Sequence, residues 1–425
     1  MTPNRRRRRL AAGLGLAALA FGATGCWPSP GQGPNRDAHN TQETTLTAAN
    51  VASLDEVWAA PLDGPAYVPV NNPSGELVTG HGGVYVNDRS TAYRFDPATG
   101  ERDWTFELPD HFPEGQMAEM GQVVVAGDDV LVGYGSVGDW TGEGSIWTTT
   151  RRDPATGAQR STLYTGGQPM AVRGDDALLA GNRCTEGVAC TARYAVFDLV
   201  TGGATGSQIG ANLWRYAPPT LGSNAIFSTN ITLRPTPSSQ VQAHPLTGLN
   251  PDPLWVTNLG QMASAMAPVL SADESTLYVG TAGAEVGHTL FALDAFTGAI
   301  LWSVDVGTQV TAAPALADGV LYVPTSTGLV VVDDGGDILW RAQAGTWISG
   351  QPAVAGGVVY TGALDGTVRA FDAEGCGSPT CGTLWSATTD DPVISAPVVS
   401  NAQLYVVSAT DDEAGHVVAF GLDGS

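Results

Sequence analysis

The stretch Thr289-Leu-Phe-Ala-Leu-Asp294-Ala-Phe-Thr297-Gly298-Ala-Ile-Leu-Trp302 decides the fold. An apolar strand runs into D-x-x-T-G, and a second strand ends on tryptophan. The aspartate carboxylate accepts hydrogen bonds from backbone amides two residues on, and the glycine supplies the positive φ that closes the turn. The tryptophan offers a large flat face suited to packing one repeat against the next.

Copies of this unit run along the chain. Phe95-Asp96-Pro-Ala-Thr99-Gly100 leads to Trp104, and Asp153-Pro-Ala-Thr156-Gly157 leads to Tyr164. Phe197-Asp198-Leu-Val-Thr201-Gly202 leads to Trp214, and His244-Pro-Leu-Thr247-Gly248 leads to Trp255. Asp333-Asp-Gly-Gly336 leads to Trp340, and Phe371-Asp372-Ala-Glu-Gly375 leads to Trp385. The last copy, Val418-Ala-Phe420-Gly-Leu-Asp-Gly424, stops before any tryptophan.

Successive aspartate positions, or their equivalents, lie 57, 45, 46, 50, 39, 39 and 49 residues apart, the length of a four-stranded propeller blade. A strand pair precedes each turn, as in Ala313-Pro-Ala-Leu-Ala-Asp-Gly-Val-Leu-Tyr322. With Gly and Pro scattered throughout and no sustained helical period after residue 26, the chain reads as all-β. The final copy lacks its outer strand, and Leu54-Asp-Glu-Val-Trp58 is an orphan strand near the other end. Joined to the C-terminal blade it would close the ring and remove two free edges. Counting outer strands at Trp58, Trp104, Tyr164, Trp214, Trp255, Trp302, Trp340 and Trp385 predicts an eight-bladed β-propeller. Seven blades is the alternative, because the copies across 110–260 are degenerate.

The pattern [A/V]-[F/L]-D-x-x-T-G-x-x-x-W, preceded by strands such as Leu277-Tyr-Val-Gly280, resembles the PQQ-like (quinoprotein-type) propeller repeat over residues 47–425. The resemblance implies either of two functions. Quinoprotein alcohol dehydrogenases are eight-bladed enzymes that use pyrroloquinoline quinone (PQQ) and calcium. Propeller lipoproteins, including the one serving the β-barrel assembly machinery, are non-catalytic. The enzymes carry a vicinal cysteine pair over the cofactor, and no two cysteines are adjacent here; their calcium ligands and catalytic base match no motif of this chain. No catalytic, cofactor-binding or metal residue is therefore assigned.

The N-terminus has the layout of a bacterial lipoprotein signal. Arg5–Arg9 form a cationic run, Leu10–Phe21 an uncharged apolar stretch, and Ala23-Thr24-Gly25-Cys26 a lipobox-like end. The apolar stretch is shorter than the ~20 residues a spanning helix needs. The expected division is 1–25 signal peptide, 26–46 a flexible Pro/Gly-rich tether, and 47–425 propeller, with Cys26 lipidated in an extracytoplasmic compartment. An ordinary signal peptide with a chance cysteine is the alternative. The four other cysteines form close pairs, Cys184 with Cys190 and Cys376 with Cys381. In an oxidising compartment each pair closes a short loop as a disulfide; a four-cysteine zinc site is the alternative.

The formal charge is −23, all 19 basic residues are arginine, and removing residues 1–25 with their five arginines leaves −28. Such a surface repels phosphate backbones, so nucleic acid is a poor partner. No nucleophile elbow, Walker loop, H-E-x-x-H or dinucleotide fingerprint is present. Asp411-Asp412-Glu413 could hold calcium but reads as a solvated loop. Arg173-Gly174-Asp175 falls in an ordinary repeat turn. The six histidines, among them His244, lie apart. The expected function is a non-enzymatic binding scaffold, with the membrane as partner through the Cys26 lipid and a protein or small ligand on a propeller face. A PQQ- or metal-dependent oxidoreductase is the alternative. A glycan or ligand sensor, with Trp140, Trp147 and Trp347 exposed, is a third reading.

Overall fold

The computed structural model describes residues 26–65, 76–109, 117–137, 146–163, 166–185, 188–209, 217–232, 238–249, 252–261, 264–282, 288–343, 345–410 and 413–422. Eight antiparallel sheets form eight blades, which resolves the choice between seven and eight. In chain order blades 1 to 7 take residues 78–107, 117–163, 168–209, 220–261, 264–305, 315–343 and 353–388. Blade 8 is built from 398–422 and the N-terminal strand Leu54–Pro65. Inner strands of neighbouring blades meet around the axis, and blade 8 meets blade 1.

The burial pattern follows from this stacking. A middle strand is covered on both faces by adjacent blades, so Val358–Gly362 and Gln403–Ser408 are buried along their whole length. An outer strand faces solvent on one side and alternates, as Ile300–Asp305 does. Among the described residues the sole helical element is the short 3-10 turn Val51–Ser53.

The ring closes as the orphan strand predicts. Leu54 pairs with Leu422, Trp58 with Ala419 and Pro61 with His416, antiparallel, with a bulge between Glu56 and Trp58. The edge of the C-terminal blade is thereby satisfied by a segment more than 350 residues away in sequence.

The D-x-x-T-G turns behave as their chemistry requires. Asp294 accepts from the Phe296 and Thr297 amides at 3.0 and 2.8 Å, and Gly298 has φ +73°. Asp96, Asp153 and Asp198 make the same pair of bonds. In Asp153 and Asp198 these amide bonds hold the carboxyl below its ordinary range.

Four of the turns also receive the preceding blade's tryptophan, and the clasp receives that of blade 7. Trp58 Nε1 donates to the Pro97 carbonyl, Trp104 to Pro154, Trp255 to Ala295, Trp302 to Asp334, and Trp385 to Leu54 of the clasp, all at 2.8–3.1 Å. The turn glycine lies flat on the ring: a Cβ on Gly100, Gly157, Gly298 or Gly336 would sit 2.5–3.0 Å from it. Tyr164 and Trp214 lie outside the described residues; a Cβ on Gly202, the turn glycine of blade 3, would meet none of the described residues within 4 Å.

One assignment is corrected. His244 is not the turn aspartate of blade 4. It pairs with Ile226, as Leu293 pairs with Leu277 and Phe371 with Val359, and Pro245 takes the aspartate position. The turn is one residue shorter, and the histidine replaces a core phenylalanine or leucine. It is 2 % exposed against Tyr194, and burial pulls its pKa down to about 4. A folded pKa below the unfolded ~6.5 means stability is fully present above pH 6.5 and lost as pH falls toward 4. Between pH 7 and 4.5 this group should cost roughly 2–3 kcal/mol. Urea denaturation at the two pH values should show that loss in the native chain and its removal in His244→Phe.

Candidate functional site: the channel strap and the groove between blades 6 and 7

Residues 26–46 are not a free tether. From Trp27 onward the chain is laid around the channel against the inner strand of every blade, in blade order. The Thr79 amide of blade 1 donates to the Trp27 carbonyl and the Val125 amide of blade 2 to Pro28. Arg173 of blade 3 donates to Asn35 Oδ1. Leu221 of blade 4 donates to Pro34, Leu270 of blade 5 to Asn35, Leu316 of blade 6 to Asp37, and Val354 of blade 7 to Ala38. Asn40 Nδ2 donates to the Val399 carbonyl of blade 8 at 2.8 Å.

The physical cause is the free edge that eight inner strands turn toward the axis, whose amides need acceptors. This strap is buried: Trp27, Ser29, Arg36, Ala38, Asn40, Glu43 and Leu46 are all at most 3 % exposed. Glu43 fastens its end, accepting from Thr45, Leu46 and Ala402 amides at 2.7–3.2 Å. A flexible linker needs no Trp27, Arg36 or Leu46 among its prolines and glycines, and those residues are the signal that composition obscured.

Cys26 stands at the head of the strap and is exposed, while Trp27 is locked to Thr79 through both backbone groups. Strands 1 and 3 of each blade run parallel to each other and antiparallel to strands 2 and 4. The 1–2 turns and the D-x-x-T-G turns therefore share one face. Cys26 lies toward that turn face, since the antiparallel pairing of Trp27 with Thr79 directs it toward Gly80 and the 1–2 turn that follows.

Buried Arg36 of the strap lies within electrostatic reach of the partly buried Glu76. Burial lowers the pKa of Arg36 and lifts Glu76 to about 7, each partly countered by the other. They make no ion pair, and Arg36 Nε and Nη1 and Glu76 Oε2 have no protein partner. Among the described residues no three His, Cys, Asp or Glu side chains converge to hold a metal ion. With the inner-strand level of the channel taken by the strap and no adjacent cysteines, the described residues do not fit a PQQ–calcium centre.

On the turn face a groove of about 640 Å³ opens between blades 6 and 7. His39 of the strap, Asp318, Tyr322 and Trp340 of blade 6, Glu374 of blade 7 and Pro379 line it. Here the junction departs from the repeat. The Ala373 carbonyl, which would take the tryptophan N–H, accepts instead from the Tyr322 hydroxyl at 3.0 Å. Trp340 presents its pyrrole edge to Gly375, whose Cβ would lie 2.8 Å from Nε1, and among the described residues none accepts from its N–H. The cause is an insertion: the blade 7 turn continues into the disulfide loop Cys376–Cys381, with a Cα–Cα distance of 5.6 Å. Its far side, Thr380–Cys381, runs parallel to Arg341–Ala342 on the blade 6 edge. Burial, together with Asp318, Asp372 and Glu374, raises the Tyr322 phenol.

Other expected features fall as follows. The Cys184 and Cys190 side chains, Trp140, and Asp411 and Asp412 lie outside the described residues. Trp147, expected exposed, is 6 % exposed and packs beside Gly121; Trp347 is at the surface. Arg173 is engaged by Asn35, the Leu221 carbonyl and Glu274, so the Arg173-Gly174-Asp175 turn is structural. Segments 110–150 and 203–240, within the degenerate copies, contain regular strands of blades 2 to 4.

Comparison with known proteins agrees with the repeat. Residues 238–335, 287–376 and 332–425 each match the family described as outer membrane protein assembly factor BamB. No curated protein sequence matches the chain. Quinohemoprotein alcohol dehydrogenase from Comamonas testosteroni superposes with a TM-score of 0.69 at 15% identity, covering 95% of this chain and 81% of that one. A europium-containing methanol dehydrogenase gives 0.69 at 12% identity, over 94% and 98%. BamB from Moraxella catarrhalis gives 0.58 at 15% identity, over 87% and 99%. At these identities the structural likeness is one of fold alone.

Proposed function

Because the chain is a propeller of PQQ-like repeats, we propose that it serves as a non-enzymatic scaffold, lipid-anchored outside the cytoplasmic membrane, that binds a protein or small ligand on a propeller face. The observation that carries this reading is the strap. It fills the inner-strand level of the channel and begins one residue after Cys26. A diacyl group on Cys26 would have no spacer, so the turn face would rest against the bilayer. The opposite face, with the interblade connections and the loops between strands 2 and 3, would be turned outward to partners. The family match to an assembly factor supports a protein partner. The alternative, a PQQ- or metal-dependent oxidoreductase, has the fold likeness to the dehydrogenases in its favour.

Two measurements on one preparation test the proposal. Expressed with its own N-terminus in a bacterial host, the chain should incorporate labelled palmitate and partition with membranes, and Cys26→Ala should do neither. The purified protein should show no change in melting temperature with PQQ and calcium and no dye-linked alcohol oxidation. A cofactor bound at a hundred times its Kd would add about 2.7 kcal/mol, so a rise with turnover would overturn the scaffold reading. Unlabelled, soluble protein would overturn the anchor.

A further inference from the structure

We infer that the channel holds a binding site for a small carboxylate, on the side of the strap away from the turn face. Ser29 and Arg36 of the strap, Gln122 of blade 2 and Glu76 of blade 1 build it. The site lies inside the ring rather than on a face, so the inference goes beyond the scaffold reading and does not rest on it.

The repeat locates the site. The strap-bound residues Thr79, Val125 and Val354 each have a polar residue three positions earlier, which are Glu76, Gln122 and Gln351. Inner strands run toward the turn face, so these three lie on the far side of the strap. The same position is Pro218, Ala267, Ala313 or Ala396 in blades 4, 5, 6 and 8.

Gln351 is explained by the fold, since its Nε2 donates to the Arg36 and Pro314 carbonyls at 2.7 and 2.9 Å. Gln122 and Glu76 are not. Gln122 is 1 % exposed, yet among the described residues neither its side-chain nitrogen nor its oxygen has a partner, and Glu76 Oε2 has none. The strap meets them with the same deficit. Arg36, 3 % exposed, leaves Nε and Nη1 without a partner, and Ser29, 1 % exposed, leaves Oγ. Ser29 follows Pro28, which is held by Val125 on the same inner strand as Gln122. The charge that acts on Arg36 is that of Glu76, which places its guanidinium within reach of the same sector. Buried polar groups are normally satisfied, so this convergence calls for an occupant.

The chemistry of the four groups selects that occupant. The unused donors are the Arg36 nitrogens, the Gln122 amide and the Ser29 hydroxyl; the unused acceptors are the Gln122 and Glu76 oxygens. A ligand for this set accepts more than it donates, and a buried guanidinium favours an anion. A planar carboxylate matches a guanidinium better than a spherical ion does. Glu76 adds a pH dependence. Burial lifts its pKa to about 7, and Arg36 is the charged group facing it. Below pH 7 it is uncharged and can donate to the anion. Above pH 7 its own charge repels the anion and competes for Arg36.

Calorimetric titration of the purified protein with sodium acetate tests the inference. It is done in 0.15 M sodium chloride, which screens the acidic surface and competes as a simple anion. At pH 6 acetate should bind saturably at one site, and the uncharged isostere acetamide should not. Arg36→Gln should weaken acetate by about ten- to a hundredfold, the worth of a charge-assisted hydrogen bond. Gln122→Leu should weaken it by about tenfold. Arg102→Gln, which removes an arginine paired with Asp63 on the surface, should leave it unchanged. The wild-type protein should lose about tenfold in affinity between pH 6 and pH 8, and Glu76→Gln should bind equally at both.

Failure of acetate to bind at pH 6 would overturn the inference and leave water as the partner of these groups. So would equal binding of acetamide, an equal loss in Arg102→Gln, or a pH dependence that Glu76→Gln leaves intact. An Arg36→Gln protein that melts no lower than wild type assigns its lost binding to the site, because the Nε and Nη1 groups had no partner to lose. If that variant unfolds, the pH profile of Glu76→Gln decides. The titration uses no lipid, quinone or partner protein, so its failure and that of the scaffold reading come from different measurements.

Discussion

A chain beginning at Thr47 should fail to form a cooperatively folded ring, whereas one beginning at Cys26 should melt in a single transition. The truncation removes acceptors for six inner-strand amides, those of Thr79, Val125, Leu221, Leu270, Leu316 and Val354. At about 1 kcal/mol per bond, with the buried Trp27 and Leu46 side chains each adding about 1.5–3 kcal/mol, the strap contributes on the order of 10 kcal/mol. That is comparable to the whole net stability of an ordinary domain. Far-UV circular dichroism melts and size-exclusion chromatography of the two chains decide the matter. A Thr47 chain with an unchanged melting temperature would mean that the strap is dispensable, as a tether would be.

Gly298→Ala should be among the most damaging single substitutions in the ring. Its φ of +73° disfavours any side chain, at roughly 1–2 kcal/mol. Its Cβ would also lie 2.5 Å from Trp255 Cε3 and 2.7 Å from Thr257 Oγ1, which forces the blade 4 tryptophan off the turn. Overpacking of this kind adds about 1–3 kcal/mol. Gly202→Ala separates the two costs, because Gly202 has φ +72° and none of the described residues lies within 4 Å of a Cβ there. The expected order in urea denaturation is wild type, then Gly202→Ala lower by about 1–2 kcal/mol, then Gly298→Ala lower by about 2–5 kcal/mol. Equal losses would show that the tryptophan face does not set the spacing of the blades.

Most of this architecture is legible in residues because the repeat writes the same physics many times. An aspartate that must cap two amides, a glycine that must turn and a tryptophan that must lie on the next glycine recur wherever the turn is regular. The clasp was legible for the complementary reason: Leu54–Trp58 lacks a partner strand and the last copy lacks an outer one. What was not legible came from singular features. His244 mimics the turn aspartate in spacing, and only its register opposite Ile226 shows that it is a core residue. The strap resembles a linker because much of its binding is done by backbone carbonyls, which leave no mark on composition. The groove was invisible for a related reason. The Cys376–Cys381 pair announces a stiff loop, but that the loop leaves the Trp340 N–H unclaimed follows only from the junction's geometry.

The strap also imposes an order of assembly. Its contacts reach from Trp27 on blade 1 to Asn40 on blade 8, and the clasp joins Leu54 to Leu422. Residues that precede every blade in the chain are thus the last to find their places. Such long sequence separations slow folding, since loop-closure entropy is spent before any contact repays it. During that interval the strap segment is an extended, unengaged peptide open to solvent. Completion of blade 8 then draws it tight like a cord through the mouth of a purse. Closure of the ring is thus the event that ends the exposure of this segment.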